Sequence, residues 1–274
     1  MAALIGAKRK HGGDQPAPPP PTTTTSTAKT LVVWDFDWTL INENSDTWLI
    51  KQLGGTEEYQ HVMSRRKELS WTSLMAYAYE RITTGTTVTG QPKCTPEDLA
   101  SCIASIPVFE ENLTAIRRLG ATDTITQCCV SDANTVFINS YFKNKNIASD
   151  FAELHTNPAS FNPDGVLEIR PYVSVDTPHE CSVCASSPNM CKGAIVEDLV
   201  ERLGPFERVV YLGDGRGDLC GCSKLIGKED VILARLEYAL ARAIVAANSE
   251  DYCTLALWNN GKDIVRELEA RHVL

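Results

Sequence analysis

The chain has 274 residues, 43% of them hydrophobic and 22% charged, with a formal net charge of −9. That composition excludes a fibrous, collagenous or mainly disordered protein. The acidic balance argues against nucleic acid as a partner, because phosphate backbones reward basic surfaces, and no apolar run approaches the roughly 20 residues of a membrane helix.

Residues 1–29 carry a basic cluster (Lys8, Arg9, Lys10), a proline run (Pro18 to Pro21) and a threonine run (Thr22 to Thr25). This reads as a solvated, disordered tail, loosely similar to a transit peptide but without the apolar segment of a secretory signal. The expectation is a cytoplasmic protein whose 10 cysteines stay reduced. The remaining 245 residues suffice for one large domain or a core with an inserted subdomain.

Order is expected from Leu31-Val32-Val33-Trp34, an apolar run ending in Asp35, as a buried parallel strand does. Similar runs at Thr124 to Val130 and Arg208 to Leu212 end in Ser131-Asp132 and Gly213-Asp214, and a weaker one spans Val231 to Leu233. Helical patterns alternate with them at Glu110 to Leu119, Ala133 to Lys143, Gly193 to Leu203 and Glu237 to Ala247. This alternation predicts an α/β fold, a Rossmann-like parallel sheet with helices on both faces. Ligands bind such sheets outside the carboxyl ends of the strands, where these polar clusters fall. Between Asp46 and Pro107 the pattern is helical only, with helices expected over Glu57 to Trp71 and Thr72 to Ile82 and a helix start at Thr95-Pro96. The domain expectation is a core of residues 30–46 and 109–274 with a small helical cap, 47–108, inserted after the first strand. Asn157 to Met190 is expected to hold short strands or loops.

Four clusters carry chemistry. Asp35 and Asp37, two apart after a buried strand, are costly to keep ionised unless a cation or donor satisfies them. Ser131-Asp132 offers a hydroxyl and backbone N–H groups at a strand end opening a helix, an anion site or an ordinary N-cap. Lys192 at a helix start offers an ammonium for a phosphate. Gly213-Asp214-Gly215-Arg216-Gly217-Asp218 pairs glycines with two carboxylates that suit a hard cation such as Mg2+.

In this order the four clusters resemble the D-x-D-x-T, Ser, Lys and G-D-x-x-x-D motifs of the haloacid dehalogenase superfamily. More narrowly, Asp35 to Asp46, Ser131 to Thr135, Asn189 to Gly193 and Gly213 to Asp218 are similar to the phosphoethanolamine/phosphocholine phosphatase family, whose plant relatives include pyridoxal-phosphate-phosphatase-related, pyrophosphate-specific and thiamine-phosphate phosphatases. The resemblance covers about residues 31–250. It implies a Mg2+-dependent phosphatase working through an aspartyl-phosphate, with Asp35 as nucleophile and Asp37 as acid and base. Thr39 would support the loop, and Ser131 and Lys192 would bind the phosphoryl group. Mg2+ would be held by Asp35, the Asp37 carbonyl and Asp214, with Asp218 in or near its shell. Animal members often carry Asn at the position of Gly217 and Pro at that of Gly221. A catalytically idle relative usually loses the nucleophile or a metal carboxylate, and both are present here.

Asp46 and Asp132 stand where that family supplies negative charge to an amino head group. The alternative is that Asp46 caps a helix and Asp132 orients its loop. The expected partner is a small phosphorylated metabolite, with neither nucleic acid nor membrane; oligomeric state is not readable. His179, Cys181, Cys184 and Cys191 have spacing compatible with structural zinc. A thiol-rich loop beside Lys192 is the simpler reading. Cys128 and Cys129 read as core, and Cys220 and Cys222 show no role.

Overall fold

The first apolar run forms a central strand of a six-stranded sheet. In the computed structural model, which describes residues 29–174, 179–184, 189–246 and 253–274, the strands are β1 (Thr30–Trp34), β2 (Ile125–Asn134), β3 (Glu153–Asn157), β6 (Arg208–Gly213), β7 (Val231–Arg235) and β8 (Thr254–Trp258). They are parallel throughout in the order β3-β2-β1-β6-β7-β8. A small antiparallel hairpin, β4 (Ala159–Phe161) with β5 (Leu167–Ile169), forms a second sheet. It lies in the segment expected to hold short strands or loops. The tail expected over residues 1–29 lies outside the described residues except for Lys29.

Alternation along the strands divides the core in two. Leu31 and Val33 face one side, with Ile195, Val196 and Leu199 of α7 (Lys192–Leu203) and Leu240 and Ile244 of α9 (Ala239–Ala246). Val32 and Trp34 face the other, with residues of α5 (Glu110–Gly120), α6 (Thr135–Lys145) and α10 (Gly261–Ala270). This is the Rossmann-like α/β arrangement expected from the sequence. No helix among the described residues is long and apolar enough to cross a membrane.

Between β1 and α5 lie four helices: α1 (Ser45–Leu49), α2 (Gly55–Ser64), α3 (Trp71–Thr84) and α4 (Pro96–Ala104). The helix expected over Glu57 to Trp71 is shorter: α2 ends at Ser64, and Ser70 caps α3 by accepting from the Ser73 N–H, so Trp71 opens the helix expected over Thr72 to Ile82. Thr95 starts α4 with a capping box and Pro96 in its first turn, as expected. Leu74, Tyr79 and Ile103 belong to the same apolar cluster as Trp34 and Phe36. The insertion and the sheet therefore share one core.

α6 begins at Thr135 rather than Ala133. Asn134 takes the N-cap by accepting from the Phe137 N–H at 3.1 Å, and β2 continues through Ser131 and Asp132 to reach it. Ser131 is thus held in an extended segment, not at a helix N-terminus. The end of the helix expected over Glu237 to Ala247 lies outside the described residues; α9 itself starts at Ala239.

Candidate active site

The chain leaves β1 through a loop closed by the Leu40 N–H to the Asp35 carbonyl and the Ile41 N–H to the Phe36 carbonyl. Trp38 adopts φ 56°, a left-handed conformation uncommon for a bulky residue. Two anchors hold it. Arg235, at the end of β7, donates to the Trp38 carbonyl and to Asn42 Oδ1, each at 2.6 Å, and stacks against Trp38, Tyr238 and Trp258. Asn112 donates to the Thr39 and Leu40 carbonyls. Loop support thus runs through the Thr39 backbone; the buried Thr39 hydroxyl has no hydrogen-bond partner among the described residues. Sequence reading missed Arg235, which looked like the residue after an apolar strand. Its signal was a lone charge at a strand end level with the other polar clusters.

This loop presents both aspartates, each less than a tenth exposed. Asp35 Oδ1 accepts from the Phe36 N–H at 2.8 Å and lies 2.9 Å from Lys192 Nζ. Asp37 accepts from the Ser45 N–H at 2.9 Å and from Asn44 at 2.8 Å. Burial, with the charge of Asp218 on Asp35 and of Asp46 on Asp37, holds both carboxyls well above the usual carboxylate range.

From the far side, β6 delivers the glycine-rich turn. Asp218 is fully buried, and both its oxygens are occupied. Oδ1 lies 2.7 Å from Lys192 Nζ and accepts from the Tyr211 hydroxyl; Oδ2 accepts from the N–H groups of Asp214 and Gly215. Tyr211 comes this close because residue 221 is glycine: a Cβ there would lie 2.7 Å from the Tyr211 ring. At Gly217 nothing requires glycine sterically, since a Cβ there would meet nothing within 4 Å. Burial and the charges of Asp35 and Asp218 push Asp214 up to about 8.

Asp35, Asp214 and Asp218 can each place a carboxylate oxygen within 4.8 Å of the others. Lys192 supplies one ammonium against these three carboxyl groups. An all-oxygen, largely buried donor set fits a hard divalent cation, whose charge would favour the ionised carboxylates. Ser131, fully buried, directs its hydroxyl toward its own loop, where it accepts from the Ala133 N–H at 3.3 Å.

Asp46 and Asp132 border one small cleft together with Trp71, Met75 and Ile169. Asp46 does not cap α1. Asn44 does, accepting from the Thr47 N–H, which frees Asp46 to accept from Trp71 Nε1 at 2.8 Å. The Asp132 carbonyl accepts from Asn157. Burial, offset by the Trp71 bond and aided by the charge of Asp132, pushes Asp46 up to about 7. In the folded state Asp46 keeps its proton until about pH 7, whereas the unfolded chain releases it near 3.8. The stability this proton contributes is present at low pH and lost as pH rises through 7. Asp46→Asn, which preserves the bond from Trp71, should therefore flatten the fall in Tm between about pH 4 and 7. Parallel Tm–pH curves for the two proteins would contradict this.

The family model described as "Putative Phosphatase" matches residues 30–271. The thiamine phosphate phosphatase-like protein of Arabidopsis thaliana is 33% identical over 222 residues, 79% of this chain and 84% of that protein. Inorganic pyrophosphatase 2 of the same plant is 30% identical over 243 residues, 87% of this chain and 82% of its own. A substrate-bound phosphoserine phosphatase superposes with a TM-score of 0.55 at 16% identity, covering 88% of this chain and 97% of that one, a likeness of fold. With the family model spanning nearly all the described residues, the chain belongs to the "Putative Phosphatase" family of the haloacid dehalogenase superfamily and is a phosphoric monoester hydrolase.

Proposed function

We propose that this phosphatase hydrolyses small phosphorylated amines, of the phosphoethanolamine or phosphocholine type, with Mg2+ and through an aspartyl-phosphate. The observation that carries the substrate class is the pair of carboxylates, Asp46 and Asp132, sharing a cleft with the Trp71 side chain. Both exert their charge on Asp37, so the cleft adjoins the reacting groups. An ammonium about 4 Å from a carboxylate gains roughly 1 to 4 kcal/mol, depending on how far water is excluded, and its charge favours release of the Asp46 proton as the amine binds.

In the first step Asp35 Oδ2 forms a bond to phosphorus as the bond from phosphorus to the leaving oxygen breaks. Oδ1 stays fixed by the Phe36 N–H and Lys192. Asp37, kept protonated by burial and Asp46, gives its proton to the leaving oxygen. It then takes a proton from the water that attacks phosphorus and releases Asp35 and inorganic phosphate. Lys192 and the Ser131 hydroxyl hold the phosphoryl oxygens. Mg2+ would be held by Asp35, the Asp37 carbonyl and Asp214, supplying charge stabilisation to the transferring phosphoryl group. Asp218, saturated by four donors, orients Lys192 and the Asp214 turn from behind. Residues 47–108, joined by the β4–β5 hairpin that packs on α3, act as the cap excluding bulky esters.

The test compares kcat/KM for phosphoethanolamine, phosphocholine, glycerol phosphate and pyrophosphate. The amines should lead glycerol phosphate by about tenfold, and Asp46→Asn/Asp132→Asn should erase that lead while retaining basal hydrolysis. Absence of the preference in the wild-type protein would refute the amine reading. Fastest turnover of pyrophosphate would promote the second reading, a pyrophosphatase, which the 30% identity to the Arabidopsis enzyme favours.

A further inference from the structure

Four cysteine sulfurs from separate parts of the chain meet behind the active site. Cys181 and Cys184 come from the loop before α7, Cys191 is the N-cap of α7, and Cys220 lies in α8 (Leu219–Cys222). Their Sγ atoms lie within 4.8 Å of one another, and Cys184 and Cys191 are 3.7 Å apart. Four thiolates placed tetrahedrally at the usual Zn–S distance of about 2.3 Å stand about 3.8 Å from one another. The cluster therefore has the dimensions of a zinc site. A disulfide would need sulfurs at about 2.05 Å, and these are all free thiols.

Two backbone donors already point at the sulfurs. The Ala194 N–H donates to Cys191 Sγ at 3.4 Å, and the Gly193 N–H to Cys220 Sγ at 3.3 Å. Both belong to the first turn of a twelve-residue helix, whose amino end favours negative charge. Glycine at 193 permits the approach, because a Cβ there would lie 2.7 Å from the Cys220 carbonyl oxygen. His179, the fourth ligand that sequence spacing suggests, is not in the group; Cys220 takes that place.

We propose that Cys181, Cys184, Cys191 and Cys220 form a structural Zn2+ site that clamps the Lys192–Asp218 ion pair. Soft thiolates select zinc, whereas the carboxylates beside them suit Mg2+, so the two centres discriminate by donor type. Four protein ligands leave no open position for substrate, which makes the role structural. Binding releases the thiol protons to solvent and leaves a site of charge −2. Cys191 directly precedes Lys192, and Cys220 follows Asp218 by two residues. A cation joining the two cysteines ties together the chain segments that hold this 2.7 Å pair.

The full chain, purified under reductant and passed through chelating resin in Mg2+ buffer, should retain about one zinc per chain by elemental mass spectrometry. Cys181→Ser/Cys220→Ser should lose it, while His179→Ala and Asp214→Asn should keep it. Should the thiol variant fail to fold, cobalt substitution of the wild-type protein decides. An intense thiolate-to-cobalt charge-transfer band supports the site, and a pale spectrum of oxygen-ligated cobalt overturns it. Zinc retained by the double serine variant overturns it, as does a wild-type protein that neither holds zinc nor takes it up from equimolar Zn2+. Stripping the zinc should lower both Tm and kcat, each restored by Zn2+ and not by further Mg2+. An unchanged kcat in stripped, folded enzyme overturns the clamp.

Discussion

Asp35→Asn should lower kcat at least a hundredfold, about 2.7 kcal/mol of barrier, without lowering Tm. The chemical loss follows because a neutral amide cannot attack phosphorus to give the acyl phosphate. The stability expectation follows from the neighbours. Burial and the charge of Asp218 disfavour the ionised Asp35 carboxylate, so the amide removes a buried charge that costs more than it gains. Its Oδ1 can still accept from the Phe36 N–H, and Lys192 keeps its 2.7 Å contact with Asp218. Phosphate release and thermal denaturation, measured side by side, separate the two effects. Residual turnover above a hundredth of wild type would exclude Asp35 as nucleophile, and a fall in Tm of several degrees would make the activity loss structural.

The strand ends of this fold were legible in the sequence because buried parallel strands are continuous apolar runs. Asp35, Ser131 and Asp214 each follow or close such a run, and the structure brings them to one edge. The edge strands were not legible. Glu153–Asn157 and Thr254–Trp258 are half exposed, mixing polar and apolar residues in a pattern that loops share. The start of α6 shifted because Asn134 competes for the cap, a side-chain preference stronger than the apolar periodicity that suggested Ala133. Two site residues escaped for a different reason. Arg235 and Cys220 act on parts of the chain far away in sequence, Trp38 and Cys191, through contacts that only the packing of β7 and α7 creates. Asp218 was visible as a carboxylate, but its four donors were not. Those donors hold Asp218 beside Lys192 and the Asp214 turn.

Lys192→Met should lower kcat at least a hundredfold, in the range expected when one donor to a developing oxyanion is removed, and should also cost about 3 to 5 kcal/mol of stability. Both effects come from one ammonium, 2.9 Å from Asp35 and 2.7 Å from Asp218, and almost wholly buried. The charges of Asp218 and Asp35 hold the Lys192 ammonium well above the usual lysine value despite its burial. Its stabilising contribution is therefore complete at neutral pH and lost only as pH rises through that elevated value. Methionine fills similar space but leaves three clustered carboxylates facing one another. In metal-free buffer they relieve the repulsion by taking up protons, so the stability deficit should shrink as pH falls from about 8 to 5. Lys192→Arg should not rescue turnover, because a larger planar guanidinium does not reproduce a compact ammonium lying 2.9 Å from Asp35 and 2.7 Å from Asp218. Urea denaturation across pH, with kcat at saturating Mg2+, tests both halves. A Met variant that loses stability yet keeps more than a tenth of wild-type kcat would make Lys192 a structural counter-ion only. The phosphoryl oxygens would then have to be held by the Ser131 hydroxyl and the metal.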